Sequence, residues 1–454
     1  MKLLVYLLLL TSGITTFGAS VFTVQDKQIL LNGEPFRIKG ICYSPNQIGQ
    51  SGTLTPFGDF FTGLFLATTG PDNENMRRMG ANVQRGYGWT VGSNHTAYLD
   101  RSYNDGVDPI YVFINRWIDP STDWDNPAAV NAIVSDWVAI AEETKDHPAV
   151  IGYLFGNEAN VQSGNGTKAS FWRAMETIAA AVKEEAPDKL VSFPITDALS
   201  SVQIVDELVP TIDFWSIQVY RSTTFGSFFD EYKLASDKPV VLTEYGYDAF
   251  DNIAQSEYPD NAAFTADVVE GMIKEIEANS DVCAGGMIFS YRDEWWKAQG
   301  GASAHDNGGI TALGMPDGLL NEEWWGIFAA EDNGFLPDRL NPRALYYRLI
   351  SLWNPIPEFD AKVILDESGL VIEYDRDDDD RDFRYEIQIS NDLNNWTAIA
   401  DNSNSGAMEA VDGETTLTIT EILNEGILKV RVEDPGFLDR GNGTFVRAGV
   451  GRRE

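Results

Sequence analysis

Two cysteines and three histidines are all that the 454 residues contain of these types. So few thiols exclude a disulfide framework. Cys42 and Cys283 are expected near opposite ends of neighbouring strands, as free thiols packed like small apolar groups. His95, His147 and His305 lie near no Gly-x-Ser-x-Gly elbow, His-Glu-x-x-His pair or Cys-x-x-Cys. Hydrolytic triads and zinc sites therefore lack their parts. There is no dinucleotide fingerprint, and Gly164–Lys168 lacks the upstream glycine and strand that a phosphate loop requires. No cofactor and no metal are expected. Basic residues are scarce too, 33 against 69 acidic ones, for a formal net charge of −36. Such a surface repels nucleic acid and anionic membranes, so neither is an expected partner, and it suits a neutral ligand.

Long apolar runs are missing except at the start. MKLLVYLLLLTSGITTFGAS has a lysine, a short apolar run and small residues around Ala19, the pattern of a secretory leader too short to span a bilayer. Residues 1–20 are expected to be removed, and the mature protein to be secreted or periplasmic.

What remains alternates. VFTVQDKQILLNGEPFRIKG reads as a β-hairpin turning at Asn32-Gly33. Eight strand candidates follow, at 36–43, 82–87, 110–117, 149–156, 189–195, 213–220, 239–245 and 285–291. Most are near-continuous apolar runs, as in parallel strands buried on both faces. Amphipathic stretches such as 127–145, 168–186 and 259–279 lie between them, the connection 88–109 reads mostly as loop, and 341–353 reads as a closing helix. Eight β/α repeats predict an α/β fold, a (β/α)8 barrel, over 21–356 including the hairpin. Short β-type runs over 357–454 predict a small antiparallel β-sandwich, with the acidic run Asp375–Arg381 a solvated loop or, less in keeping with its ligand order, a calcium site.

Catalytic side chains of such barrels stand at the C-terminal strand ends. Strand 4 ends in Gly156-Asn157-Glu158, and strand 7 in Thr243-Glu244-Tyr245. A carboxylate directly after a buried strand is costly unless something uses it. The separation of 86 positions from Glu158 to Glu244 spans three β/α units and places them across the mouth. One acid and one carboxylate so placed suit glycoside hydrolysis, with about 5–5.5 Å between them if configuration is retained. The pairs Trp295-Trp296 and Trp324-Trp325, beyond strand 8, would stack on sugar rings or pack their long segment against the barrel. The phenylalanine-rich loop 44–68 is expected to wall the cleft.

Asn157-Glu158 with Glu244 resembles the signature of clan A of the retaining glycoside hydrolases, and LNGEPFRIKGICYSP (31–45) is similar to the first barrel strand of several members. GYLFGNEAN paired with VVLTEYGYDAF resembles the fungal β-1,3-glucanosyltransferases. The family 158 endo-β-1,3-glucanases, a barrel followed by an immunoglobulin-like domain, look closer. The likeness spans 22–353, with only the two glutamate segments specific in it. It implies Glu158 as acid/base, Glu244 as nucleophile, Asn157 on the sugar's 2-hydroxyl, and Arg85 and Tyr220 beside Glu244. Many members end strand 8 in tryptophan; here Tyr291, or Trp295 folded back, would take that place. The implied activity is a secreted endo-β-1,3-glucanase acting as a monomer on neutral polysaccharide. The alternatives are a glucanosyltransferase, a glycosidase on mannan or galactan, and a non-catalytic carbohydrate-binding barrel.

Overall fold

A computed structural model describes residues 20–354 apart from 307, 308 and 313, and, by backbone alone, the strands between 361 and 452. The expected leader lies almost wholly outside the described residues. The chain divides into two compact units, 1–353 and 354–454.

The first unit opens with three short antiparallel strands, Phe22–Gln25, Gln28–Leu31 and Glu34–Pro35. The turn at Asn32-Gly33 is there, and a second at Asp26-Lys27 has both residues at positive φ, as a two-residue hairpin turn requires. Eight barrel strands follow in parallel: Ile38–Cys42, Val83–Arg85, Tyr111–Arg116, Val150–Phe155, the fifth in two pieces (Leu190–Ser192 and Pro194–Thr196), Trp215–Gln218, Val240–Tyr245 and Cys283–Ile288. The first piece of strand 5 pairs with strand 4 and the second with strand 6. Strand 1 pairs with strand 8. The sheet therefore comes round on itself through Phe193, in the manner of a (β/α)8 barrel.

Helices cover its outside. Pro127–Thr144 starts where Asn126 accepts from the Ala128 N–H and Pro127 sits where its missing donor costs nothing. Ala169–Glu185, Pro259–Ala278 and the closing Ala344–Trp353 fall where periodicity put them. The 88–109 connection is more helical than expected, holding Thr96–Tyr103. Alternation along the strands sorts the core into two layers. Val83, Phe113, Ile151, Leu154, Phe214 and Val241 belong to one buried cluster, and their neighbours Val112, Ile114, Tyr153, Phe155 and Trp215 to another, packed against helices. Crowding between strands admits no side chain at Gly152, whose Cβ would stand 2.2 Å from the Leu190 carbonyl oxygen. Cys42 and Cys283 are free and buried.

In the second unit the described strands form two four-stranded antiparallel sheets. One orders as Ala361–Asp366, Gly369–Asp377, Ile427–Asp434, Thr418–Asn424, and the other as Glu409–Ala410, Thr397–Asp401, Phe383–Ser390, Phe445–Arg452. The side chains of the acidic run lie outside the described residues.

Candidate active site

On three strands an interior-facing position is followed, two residues on, by a polar side chain at the mouth. Val83 is followed by Arg85, Phe113 by Asn115, and Ser216 by Gln218. The strand period of two makes this a continuation of the same face. All are buried and converge on Glu244. Glu244 Oε1 accepts from Arg85 Nη1 at 3.0 Å, Tyr87 Oη at 2.7 Å and Gln218 Nε2 at 2.9 Å. Its Oε2 accepts from Tyr220 Oη at 2.9 Å. Arg85 is itself held by Asn115 Oδ1 at 3.1 Å and the Thr243 carbonyl at 2.9 Å. A carboxylate with four donors, one of them a buried guanidinium, is fixed in place.

Strand 4 ends differently. Gly156 and Glu158 both take positive φ, +74° and +49°, and the Glu158 N–H donates to the Pro194 carbonyl at 3.0 Å. A left-handed glutamate costs on the order of 1 kcal/mol and is the kind of strain that gathers at functional sites. Between them, Asn157 Oδ1 accepts from Arg85 Nη2 at 2.6 Å and Gln218 Nε2 at 2.7 Å. With its oxygen occupied, Asn157 has its amide N–H groups left to donate. Burial pushes the Glu158 carboxyl up to about 7, reinforced by the charge of Glu244 and opposed by Arg85. The two carboxylates thus differ in surroundings: one biased toward its protonated form, the other saturated with donors.

Both line one cavity of about 980 Å³, together with Asn157, Tyr87 and Tyr220. Its far wall comes from the segment after strand 8: Phe289, Glu294, Trp296, Lys297, Glu322 and Trp325. Lys297 Nζ lies 2.8 Å from Glu294 and 3.1 Å from Glu322, above the Phe289 ring. Burial alone would lower the Lys297 ammonium, but the two carboxylates hold it above its ordinary value. Burial raises Glu294. This wall is anchored by Arg343, bidentate to buried Asp293 at 2.7 and 2.8 Å and bonded to Glu257 at 2.7 Å.

Of the residues singled out in the sequence, Arg85, Asn157, Glu158, Tyr220, Glu244 and Trp296 are brought together here. Two are not. Tyr291 is fully buried, donates to Asp72 at 3.0 Å and meets Tyr43 edge to face at 5.3 Å. The turn after strand 8 sends Phe289 to the cavity and Tyr291 into the core. Trp295 stacks on His305 at 4.6 Å, and Trp324 stacks on the same imidazole at 3.7 Å. Adjacent residues point different ways, so one tryptophan of each pair reaches the cavity: Trp296 and Trp325. The loop 44–68 lines the cavity through Ser44, Gly52, Thr53, Phe57 and Gly58, while Phe60 and Phe61 are buried. Tyr87, Asn115, Gln218, Glu294 and Lys297 were missed. The two-residue continuation from interior Phe113 was the signal for Asn115; nothing local marks the pair on the far wall.

The fold is of the (β/α)8 kind, with two carboxylates at the C-terminal strand ends lining one cavity. Residues 110–317 match the family model for glycosyl hydrolases family 2, TIM barrel domain. No curated protein matches the sequence. Among solved structures, β-glucuronidase of Bifidobacterium dentium complexed with coumarin-3-O-glucuronide is similar with TM-score 0.52 and 14% identity, over 75% of this chain and 50% of that one. Bacteroides uniformis β-glucuronidase has TM-score 0.52 and 14% identity over 91% and 48%. Faecalibacterium prausnitzii β-glucuronidase has TM-score 0.50 and 16% identity over 75% and 52%. The chain spans about half the length of these structures, and at such identity the likeness is one of fold. The matched family model is that of family 2, where the sequence resemblance pointed to family 158.

Proposed function

We propose that the protein is a secreted retaining glycoside hydrolase of neutral β-linked polysaccharide, an endo-β-1,3-glucanase, with Glu158 as acid/base and Glu244 as nucleophile. The observation that carries it is the contrast between the two carboxylates in one cavity at the C-terminal strand ends. In the first step a Glu244 oxygen attacks the anomeric carbon, the bond to the leaving oxygen breaks, and Glu158 gives that oxygen its proton. In the second, Glu158 takes a proton from water, whose oxygen attacks the same carbon and releases Glu244. Arg85, Tyr87, Gln218 and Tyr220 orient the nucleophile, and Asn157 is placed to donate to the 2-hydroxyl.

The cavity's charges favour a neutral sugar over a uronic acid. Arg85 is engaged by Glu244, Lys297 by Glu294 and Glu322, and Arg116 by Asp136. Each of these cations is already paired with a carboxylate, and an added anion would meet several of its own sign. The volume lies at the upper end of ligand pockets, about 300–1,000 Å³, which suits several sugar rings more than one. A leader at residues 1–20 fits a substrate too large to enter a cell.

The test is incubation with laminarin, lichenan, mannan and xylan, and with aryl β-glucosides and β-glucuronides. Internal cleavage of laminarin with the β-anomer appearing first by proton NMR is expected. Azide is expected to restore activity to Glu244→Gly with inverted product. Cleavage of the glucuronide with no activity on any of the polysaccharides would overturn the substrate reading, and initial release of the α-anomer would overturn the mechanism.

A further inference from the structure

Among the described tryptophans all but one are buried or half-buried. Trp117, directly beyond strand 3, is 53% exposed, and it borders the same cavity as Glu158 and Glu244. Its backbone is tied to the end of strand 2, the Trp117 amide N–H donating to the Tyr87 carbonyl at 3.3 Å. Beside it Arg116 Nη1 and Asp136 Oδ2 pair at 2.6 Å, and both also line the cavity. Their side chains are about a third to a half exposed (35% and 46%), which leaves donors and acceptors facing water. An open indole face with unused polar groups at its edge matches a pyranose ring, which offers apolar C–H faces and an equatorial rim of hydroxyls.

Its position assigns a side of the scissile bond. Strand 3 pairs with strand 4, Arg116 opposite Phe155, and the Gly156 N–H donates to the Arg116 carbonyl at 2.9 Å. Trp117 therefore adjoins the segment that carries Glu158. Trp296, Glu294 and Lys297 follow strand 8, which pairs with the strand of Glu244. A general acid stands beside the departing oxygen, so the leaving group lies on the acid's side.

We propose that Trp117, with the Arg116–Asp136 pair at its edge, is the platform of a leaving-group subsite. It binds the sugar unit on the reducing-end side of the scissile bond and, once Glu244 is glycosylated, an incoming saccharide acceptor. This rests on Glu158 being the acid. The acceptor hydroxyl would then give its proton to Glu158 as its oxygen bonds to the anomeric carbon and Glu244 departs, so a glycosidic bond replaces hydrolysis.

The experiment compares wild type, Trp117→Ala and Trp117→Phe on laminaripentaose and on an aryl β-glucoside, which brings no leaving-group sugar. In Trp117→Ala the loss of kcat/KM on the pentasaccharide is expected to exceed that on the aryl glucoside by about tenfold. Transfer to added saccharide is expected to fall in parallel, while Trp117→Phe keeps most of both. Equal losses on the two substrates, or an undiminished pentasaccharide rate, would overturn the subsite while leaving the enzyme reading intact. Wild type inert on both substrates would overturn the two together.

Discussion

Glu158 is the residue whose chemistry is most exposed to test. Burial, with help from Glu244, raises its carboxyl from the ordinary 4.5 to about 7. Because the acid must enter the first step protonated, kcat/KM is expected to fall as pH rises through about 7, a limb visible in a pH–rate profile. Glu244→Gln removes the neighbouring charge and is expected to lower the Glu158 titration midpoint, measured by carbon-13 NMR. The same shift acts on stability. Between 4.5 and 7 the folded state holds a proton that the unfolded state has lost, so stability declines as pH rises through that window. Glu158→Gln is therefore expected to be more stable than wild type by roughly 2–3 kcal/mol at pH 8, and no more stable at pH 4, by urea denaturation. Tyr87 supplies one of four donors to Glu244, and Tyr87→Phe is expected to lower kcat about 10- to 100-fold, as loss of a hydrogen bond to a charged group does. Trp296→Ala is expected to weaken glycan binding by about 1–3 kcal/mol. Trp295→Ala, removing a ring that stacks on His305 away from the cavity, is expected to weaken it much less.

At the scale of elements, the barrel strands were legible because burial on both faces leaves an uninterrupted apolar run. Their C-terminal ends were legible because a charge there has no structural excuse. The long segment after strand 8 was not. Its course depends on partners far away in the chain, above all on Arg343, which reaches back to Asp293 and Glu257. Arg343→Met leaves the buried Asp293 carboxylate without its bidentate partner. A loss of about 3–5 kcal/mol is expected in denaturant unfolding, with reduced glycan affinity because Glu294, Trp296 and Lys297 ride on the same segment. The split of strand 5 at Phe193 likewise has no local mark, since KLVSFPI reads as one continuous run.

For the whole molecule the dominant quantity is the charge of −36. Mutual repulsion of surface carboxylates opposes compactness and is screened by ions within about 10 Å at 0.1 M salt. The melting temperature is therefore expected to rise by a few degrees between about 10 and 200 mM sodium chloride, read by scanning calorimetry. A flat response would mean that the acidic residues are spread too thinly to repel.

By itself the sequence determined the eight-fold repeat and the two mouth glutamates, because periodicity and strand ends are local properties of a chain; the placing of Arg85 and Tyr220 beside Glu244 came from the family resemblance. Only the tertiary structure decided that Trp296 and Trp325 face the cavity while Trp295 and Trp324 clasp His305, that Tyr291 belongs to the core, and that Lys297 is neutralised between Glu294 and Glu322. Those outcomes turn on which way neighbouring side chains point after a strand ends. That direction is set by contacts between residues far apart in sequence, which no local pattern encodes.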